Sequence, residues 1–186
     1  GDNIFLDTIP KGNLGISTIC TIDVTNQILD SSLVAYTGGE VKQDITNILR
    51  HYSNIKMTNP IPNNYNVWNL FDSTGENHLQ DTIPSNYNTN NQGIYTYGIK
   101  LASQNFPSSS NLNVAHVLDI KNGILTFYDS PKDANGNDIN NTNPPIITFT
   151  RYIGRKGTSK LQASDISGLD QVSSSGITPG SDVSLN

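Results

Sequence analysis

The sequence has one cysteine, Cys20, in 186 residues. A disulfide within the chain and a zinc site built on several cysteines are therefore excluded, so stability has to come from packing or assembly. Cys20 shares the apolar side of an alternating stretch with Ile16, Thr18 and Ile22. We interpret Cys20 as a small buried hydrophobic residue, with a reactive thiol as the alternative.

Charged residues are also few, at 15% of the chain with a net charge of -5. The 11 basic residues form no continuous positive segment that would neutralise a phosphate backbone, so we expect no nucleic-acid partner. A run of roughly 18 apolar residues is absent, and no secretory leader is recognisable at Gly1. We therefore expect no membrane insertion.

Residues that carry enzyme chemistry are scarce. His51, His78 and His116 are isolated from one another in sequence, and no metal-ligand spacing links them. There is no Gly-x-Ser-x-Gly nucleophile motif, and the only glutamates are Glu40 and Glu76. The sequence thus predicts no catalytic residue, no cofactor and no enzyme activity.

Asparagine is abundant, with 25 residues, while hydrophobic residues make up 34%. Such a chain is polar without being highly charged, and its length allows one ordinary domain with an appended segment. We predict a β-rich globular module over residues 1–157 and a tail or linker over 158–186.

Short apolar runs separated by turn residues predict an all-β fold, an antiparallel sandwich or jelly-roll-like domain with one short helix. The predicted strands cover residues 15–24, 67–71, 94–101, 114–120, 124–128 and 146–153. The helix is expected after Gly39, because apolar side chains recur there at helical spacing. Those residues are Val41, Ile45, Ile48, Leu49 and Tyr52. The helix would pack on the sheet or, alternatively, bind a partner.

A hairpin is expected around Asn122 and Gly123, which stand between two strand patterns. Asparagine followed by glycine tolerates positive φ at both central turn positions. The pair therefore predicts a two-residue primed turn.

Four aromatic residues are candidates for glycan binding. The phrase Ile-Pro-x-Asn-Tyr-Asn occurs at residues 61–66 and again at 83–88, and both copies bear a tyrosine in a turn. Such rings can stack on sugars, although tyrosines beside proline turns also pack onto loop backbone. The candidate glycan-binding residues are Tyr65, Trp68, Tyr87 and Tyr95.

A polar loop offers a weak calcium candidate in Asp133, Asn135 and Asn137, whose side-chain oxygens stand at alternate positions. The twelfth position of an EF-hand loop, where glutamate is required, is occupied here by Pro144. A polar hairpin tip explains the same residues. Asn140 begins a glycosylation sequon, usable only in a secretory pathway.

The Ser- and Gly-rich tail, residues 158–186, has too little apolar bulk to fold alone. It is either a linker or the start of a trimeric, shaft-like fibre in which copies wind around a shared apolar axis. The predicted trimerisation residues are Leu161, Ile166, Leu169 and Val172.

Residues 161–169, LQASDISGL, resemble phrases found in phage tail-fibre proteins near the start of a trimeric shaft. Residues 123–128 and 144–152 are similar to surface proteins of large DNA viruses that infect algae and other protists. The resemblance implies a homotrimeric fibre or capsid appendage on the virion surface, a structural component that contributes to host attachment. Its partners would be itself and other virion proteins, with a host-cell glycan left open. The alternative is a lectin-like carbohydrate-binding module of a larger extracellular protein.

Overall fold

The computed structural model describes residues 3–11, 15–89, 93–95, 97–101, 115–129, 131–133 and 136–158. Within these residues the chain consists mostly of strands, which confirms the all-β prediction at this level. The helices in this part of the chain are two of four residues each and one 3₁₀ turn, Ser85–Tyr87. In chain order the elements are β1 Asn3–Phe5, α1 Ile16–Ile19, β2 Cys20–Asp23, α2 Thr25–Ile28, β3 Ala35–Asp44, β4 Leu49–Lys56, β5 Val67–Asn69, β6 Gly98–Leu101, β7 His116–Asp119, β8 Ile124–Phe127, β9 Pro145–Tyr152 and β10 Lys156–Thr158.

The strands form three antiparallel sheets. A five-stranded sheet has the order β2-β3-β4-β9-β6, and a three-stranded sheet has the order β5-β8-β7. Both lie in one compact unit, residues 9–153. The pair β1-β10 belongs to a second unit, residues 1–8 and 154–186.

One hydrophobic core receives side chains from both the five-stranded and the three-stranded sheet. Tyr52 of β4 and Phe149 of β9 are register partners, and their rings stack with centroids 4.7 Å apart. The three-stranded sheet contributes Trp68, Leu125 and Phe127, each at most 2% exposed. Burial of these large side chains is the main stabilising contribution to the unit.

The predicted helix after Gly39 is wrong. Residues 40–55 form a β-hairpin in which Val41 of β3 pairs with Tyr52 of β4. Ile45, assigned to the apolar helix face, is 75% exposed at the turn.

The apolar residues that suggested the helix lie on two strands and the turn between them, with Val41 on β3, Ile45 and Ile48 in the turn, and Leu49 and Tyr52 on β4. Leu49, Tyr52 and Ile55 are buried at intervals of three, which imitates a helical stripe. The second of these intervals arises because the register with β9 shifts between Tyr52 and Ile55, where Asn54 has a φ of 52°. A bulge of this kind inserts an extra residue, so the side chains beyond it point to the opposite faces of the sheet from those that regular alternation would give.

The predicted strand over residues 15–24 is correct only at its end. Residues 16–19 form the short helix α1, closed by the Ile19 amide on the Gly15 carbonyl at 3.2 Å. Cys20 is 2% exposed, as expected for a small hydrophobic residue. Burial raises the pKa of the Cys20 thiol to about 12, so the thiol stays protonated at neutral pH.

The hairpin of β7 and β8 is confirmed, but its two-residue turn is not. Asp119 pairs with Ile124, so four residues, 120–123, form the loop. The Asp119 carboxylate accepts hydrogen bonds from the Asn122 amide N–H at 3.1 Å and from Asn122 Nδ2 at 2.8 Å. These bonds close a wider loop, in which Gly123 has a φ of +72°.

The predicted trimerisation residues Leu161, Ile166, Leu169 and Val172 lie outside the described residues. Among the residues that the structure does describe, no helix is long and apolar enough to span a bilayer. The boundary predicted at 157/158 stays a prediction.

Candidate functional site

Two of the four aromatic residues predicted to bind glycans are buried. Trp68 is 1% exposed and Tyr95 is 2% exposed, so neither ring is accessible to a sugar. Both polar groups have partners inside the protein: Trp68 Nε1 donates to the Tyr65 carbonyl at 2.8 Å, and the Tyr95 hydroxyl donates to the Pro10 carbonyl at 2.5 Å. These two rings are structural, because a buried aromatic with a satisfied polar group stabilises the core.

The other two aromatic residues reach the surface. Tyr87 is 43% exposed in the 3₁₀ turn. Tyr65 is half-buried, and its ring stacks on the Trp68 indole at a centroid distance of 6.2 Å and an interplanar angle of 27°. The contact with Trp68 fixes the orientation of Tyr65, which lowers the entropy that a ligand would lose in ordering it.

Tyr65 lies in a groove of about 310 Å³, here called the asparagine groove. Two segments form its walls, one from residues 63–66 and the other from residues 131 and 138–140. The volume is at the lower end of the roughly 300–1,000 Å³ of small-ligand pockets. The groove is lined by Asn63, Asn64, Tyr65, Asn66, Pro131, Asp138, Ile139 and Asn140.

Local hydrogen bonds hold the first loop. Asn63 has a φ of 63°, a left-handed conformation that asparagine tolerates better than most residues. Asn59 Nδ2 donates to the carbonyls of Asn64 at 2.7 Å and Val67 at 3.0 Å. Asn66 Nδ2 donates to the Phe127 carbonyl at 3.2 Å, which ties the loop to the end of β8.

Asp133 organises the second loop and is 6% exposed. Its Oδ1 accepts from the Asn137 amide N–H at 2.9 Å, and its Oδ2 accepts from Asn143 Nδ2 at 3.2 Å. Both oxygens thus bond to amides of the loop, which is the arrangement expected for a polar loop tip. Of the other two calcium candidates, Asn137 supplies amide donors to Asp133, and Asn135 lies outside the described residues.

Asn140 lines the groove from the second loop and is the first residue of the sequon. Its Oδ1 accepts from the backbone N–H groups of Thr142 at 2.9 Å and Asn143 at 3.1 Å. This orientation leaves its Nδ2 without a partner within the described part of the chain. Asp138, the carboxylate of the lining, is paired with Lys132 Nζ at 2.5 Å.

No protein-family model, curated protein or solved structure matches this chain. The ligand class is therefore inferred from the lining itself. Amide groups both donate and accept hydrogen bonds, and the phenol adds an aromatic face and a hydroxyl. This combination suits a neutral ligand with several hydroxyl groups.

Sequence reasoning found Tyr65 but missed the rest of the lining. The sequence signal that could have indicated the groove is the asparagine-rich composition of its two segments, NNYN at 63–66 and NDIN at 137–140. More than 60 residues separate them in sequence, so only the folded sheets bring them together.

Proposed function

We propose that this chain is a non-enzymatic attachment module of a fibre-like assembly and that it binds a neutral sugar in the asparagine groove. The observation that carries the proposal is the half-buried ring of Tyr65, held by Trp68, in a groove otherwise lined mainly by amides. An aromatic face packs on the C–H groups of a sugar, while side-chain amides exchange hydrogen bonds with its hydroxyls.

The charges of the lining support a neutral ligand. Among the described residues that line the groove there is no lysine or arginine, so the lining itself offers an anion no cationic partner. A cation would meet one carboxylate, Asp138, which Lys132 already neutralises. Desolvating a charged ligand without a partner costs several kcal/mol, which favours a neutral one.

The larger assembly is proposed from the core and the tail. We take the five-stranded and three-stranded sheets as the two layers of a sandwich or jelly-roll-like domain, because both contribute to one core. We take residues 158–186 as the start of a trimeric shaft, as the resemblance to fibre proteins implies. Three copies would offer three grooves, and this multivalency compensates for the weak affinity of a small sugar site.

In this proposal the chain is a virion surface component whose partners are its own copies, other virion proteins and a host-cell glycan. A lectin-like module of a larger extracellular protein would use the same groove. The two proposals differ in the tail, because a lectin-like module does not require residues 158–186 to trimerise.

A glycan array probed with the intact chain tests the groove. We expect binding to at least one neutral oligosaccharide, and Tyr65→Ala should weaken it about tenfold or more, because an aromatic contact at the centre of a site carries much of its energy. Asn63→Gly tests whether the amides of the lining contribute to binding. It removes one amide without straining the loop, because glycine accepts the positive φ at that position.

Tyr87→Ala is the matched control, because Tyr87 is an exposed tyrosine in the other copy of the repeated phrase and does not line the groove. Binding should survive this substitution, and thermal unfolding should verify that every variant is folded. Equal losses in the Tyr65 and Tyr87 variants, or no bound glycan at millimolar concentration, would refute the proposed site.

A further inference from the structure

We propose that Asp72, Glu76 and His78 form a binding site for a divalent transition-metal ion of the zinc type. One oxygen or nitrogen atom from each side chain lies within 4.8 Å of the corresponding atoms of the other two. The site consists of different residues from the asparagine groove and does not depend on sugar binding.

A tight turn places the three side chains together. The His78 amide N–H donates to the Leu70 carbonyl at 3.0 Å, and the Asp72 amide N–H donates to the Glu76 carbonyl at 3.1 Å. Gly75, with a φ of +85°, permits the reversal between them. The backbone therefore holds the three ligand positions near one another before any ion binds.

One pair of ligand atoms has the separation that a metal centre needs. Asp72 Oδ2 and His78 Nε2 are 3.0 Å apart. Bonds of about 2.0–2.2 Å that meet at tetrahedral to octahedral angles separate neighbouring ligand atoms by about 3.0–3.5 Å. A metal ion bound between the two atoms can thus take the place of their hydrogen bond with little movement of either side chain.

The two oxygens of Asp72 have different partners. Oδ1 accepts from the Thr74 amide at 2.9 Å, the Thr74 hydroxyl at 2.6 Å and the Glu76 amide at 3.0 Å, so it maintains the turn. Oδ2 is directed at His78. One carboxylate therefore has a structural oxygen and a second oxygen that is oriented as a ligand.

His78 also has the support that metal-binding histidines have. Its side chain is 6% exposed, and its other ring nitrogen, Nδ1, lies 3.3 Å from the hydroxyl of the buried Tyr52. A hydrogen bond at the second nitrogen fixes the orientation of a ligating imidazole. Stacking on Phe149 in turn holds Tyr52 in place.

Arg151 is the competitor of the ion. Its guanidinium contacts Glu76 Oε2 at 2.9 Å, and its Nε donates to the Gln80 carbonyl at 2.9 Å. An ion has to share Glu76 with this positive charge, so loss of the arginine charge should strengthen metal binding. A purely structural cluster would show no such gain.

The donor types select the ion. An imidazole with two carboxylates suits zinc and similar borderline ions, whereas magnesium and calcium prefer sites made of oxygen alone. Three protein ligands leave a coordination position for water or another donor.

Calorimetric titration of the full chain with zinc, followed by thermal unfolding, tests the proposal. We expect saturable one-site binding that raises Tm, because an ion that binds only the folded state stabilises it. Glu76→Gln, at a side chain that is 51% exposed, should keep the fold and weaken binding about tenfold or more. Arg151→Gln should tighten binding, and His116→Gln should leave it unchanged.

Cobalt absorption gives a second measurement, in which d–d bands of a nitrogen-containing site should disappear in His78→Gln. The proposal would be overturned by equal zinc affinity in the wild type and Glu76→Gln, by no rise in Tm at millimolar zinc, or by loss of binding in His116→Gln alone.

Discussion

At the scale of single residues, His51 is a neutral, partly buried histidine on β4. Its Nδ1 lies 2.9 Å from the hydroxyl of Thr150, its register partner on β9. Burial lowers the pKa of His51 to about 4, because the charged imidazolium would lose its hydration. The histidine therefore stays uncharged in the folded chain through the mildly acidic range.

This lowered pKa predicts acid sensitivity. An unfolded histidine titrates near 6.5, so between pH 6.5 and 4 the unfolded state binds more protons and stability falls as the pH drops. Urea unfolding at pH 7, 5.5 and 4.5 should show a loss of about 2 kcal/mol over this range. His51→Gln should flatten the dependence and His116→Gln should retain it. An unchanged slope in His51→Gln would assign the effect to other groups.

At the scale of elements, the β7–β8 loop is held by hydrogen bonds from a side chain that is distant in sequence. Asn77 Nδ2 donates to the carbonyls of Ile120 at 3.1 Å and Lys121 at 3.2 Å, and its Oδ1 accepts from the Leu79 amide at 2.9 Å. A Cβ on Gly123 would lie 2.3 Å from that Oδ1 and 2.7 Å from Phe71 Cε1. These three hydrogen bonds hold the Asn77 side chain in place, so it cannot easily move away from an added Cβ.

Gly123→Ala should therefore cost about 3 kcal/mol or more, since it adds a steric clash to the strain of positive φ. Gly136→Ala is the matched control, because Gly136 also has a positive φ, +81°, but a Cβ there would meet no atom within 4 Å. It should cost only about 1 kcal/mol. Chemical denaturation of both variants measures the difference in the free energy of unfolding. Equal losses would mean that the Asn77 side chain moves aside to accommodate the added methyl group.

At the scale of the whole molecule, the tail determines the assembly in our proposal. Apolar residues are sparse in residues 158–186, so burial around a shared axis is what would order them. Attachment through a small sugar site also needs several copies to become strong. Oligomerisation and binding are thus linked in this proposal.

Light scattering of the 186-residue chain should accordingly report a trimer. The double variant Ile166→Asp and Leu169→Asp should dissociate it while the strands stay folded by circular dichroism, because burying unpaired carboxylates is costly. The double variant Ser164→Asp and Ser167→Asp adds the same charges at polar positions of the same segment and should remain trimeric. A wild-type monomer at high micromolar concentration would count against the fibre proposal.

The sequence by itself determined the all-β class and the position of most strands, since alternation and turn residues act over a few neighbouring positions. The hairpin of residues 116–127 is an example, because Gly123 and the flanking alternation are local signals. The same local reasoning failed over residues 40–55, where apolar residues of two paired strands and their turn recur at helical spacing.

Only the tertiary structure decided which side chains are available for function. Trp68 and Tyr95 resemble Tyr65 and Tyr87 in sequence, but the first pair is buried in the folded unit and the second pair reaches the surface. The asparagine groove and the contact of Arg151 with Glu76 join segments more than 60 residues apart. Burial and charge pairing depend on contacts between distant segments, and a local pattern carries no information about them.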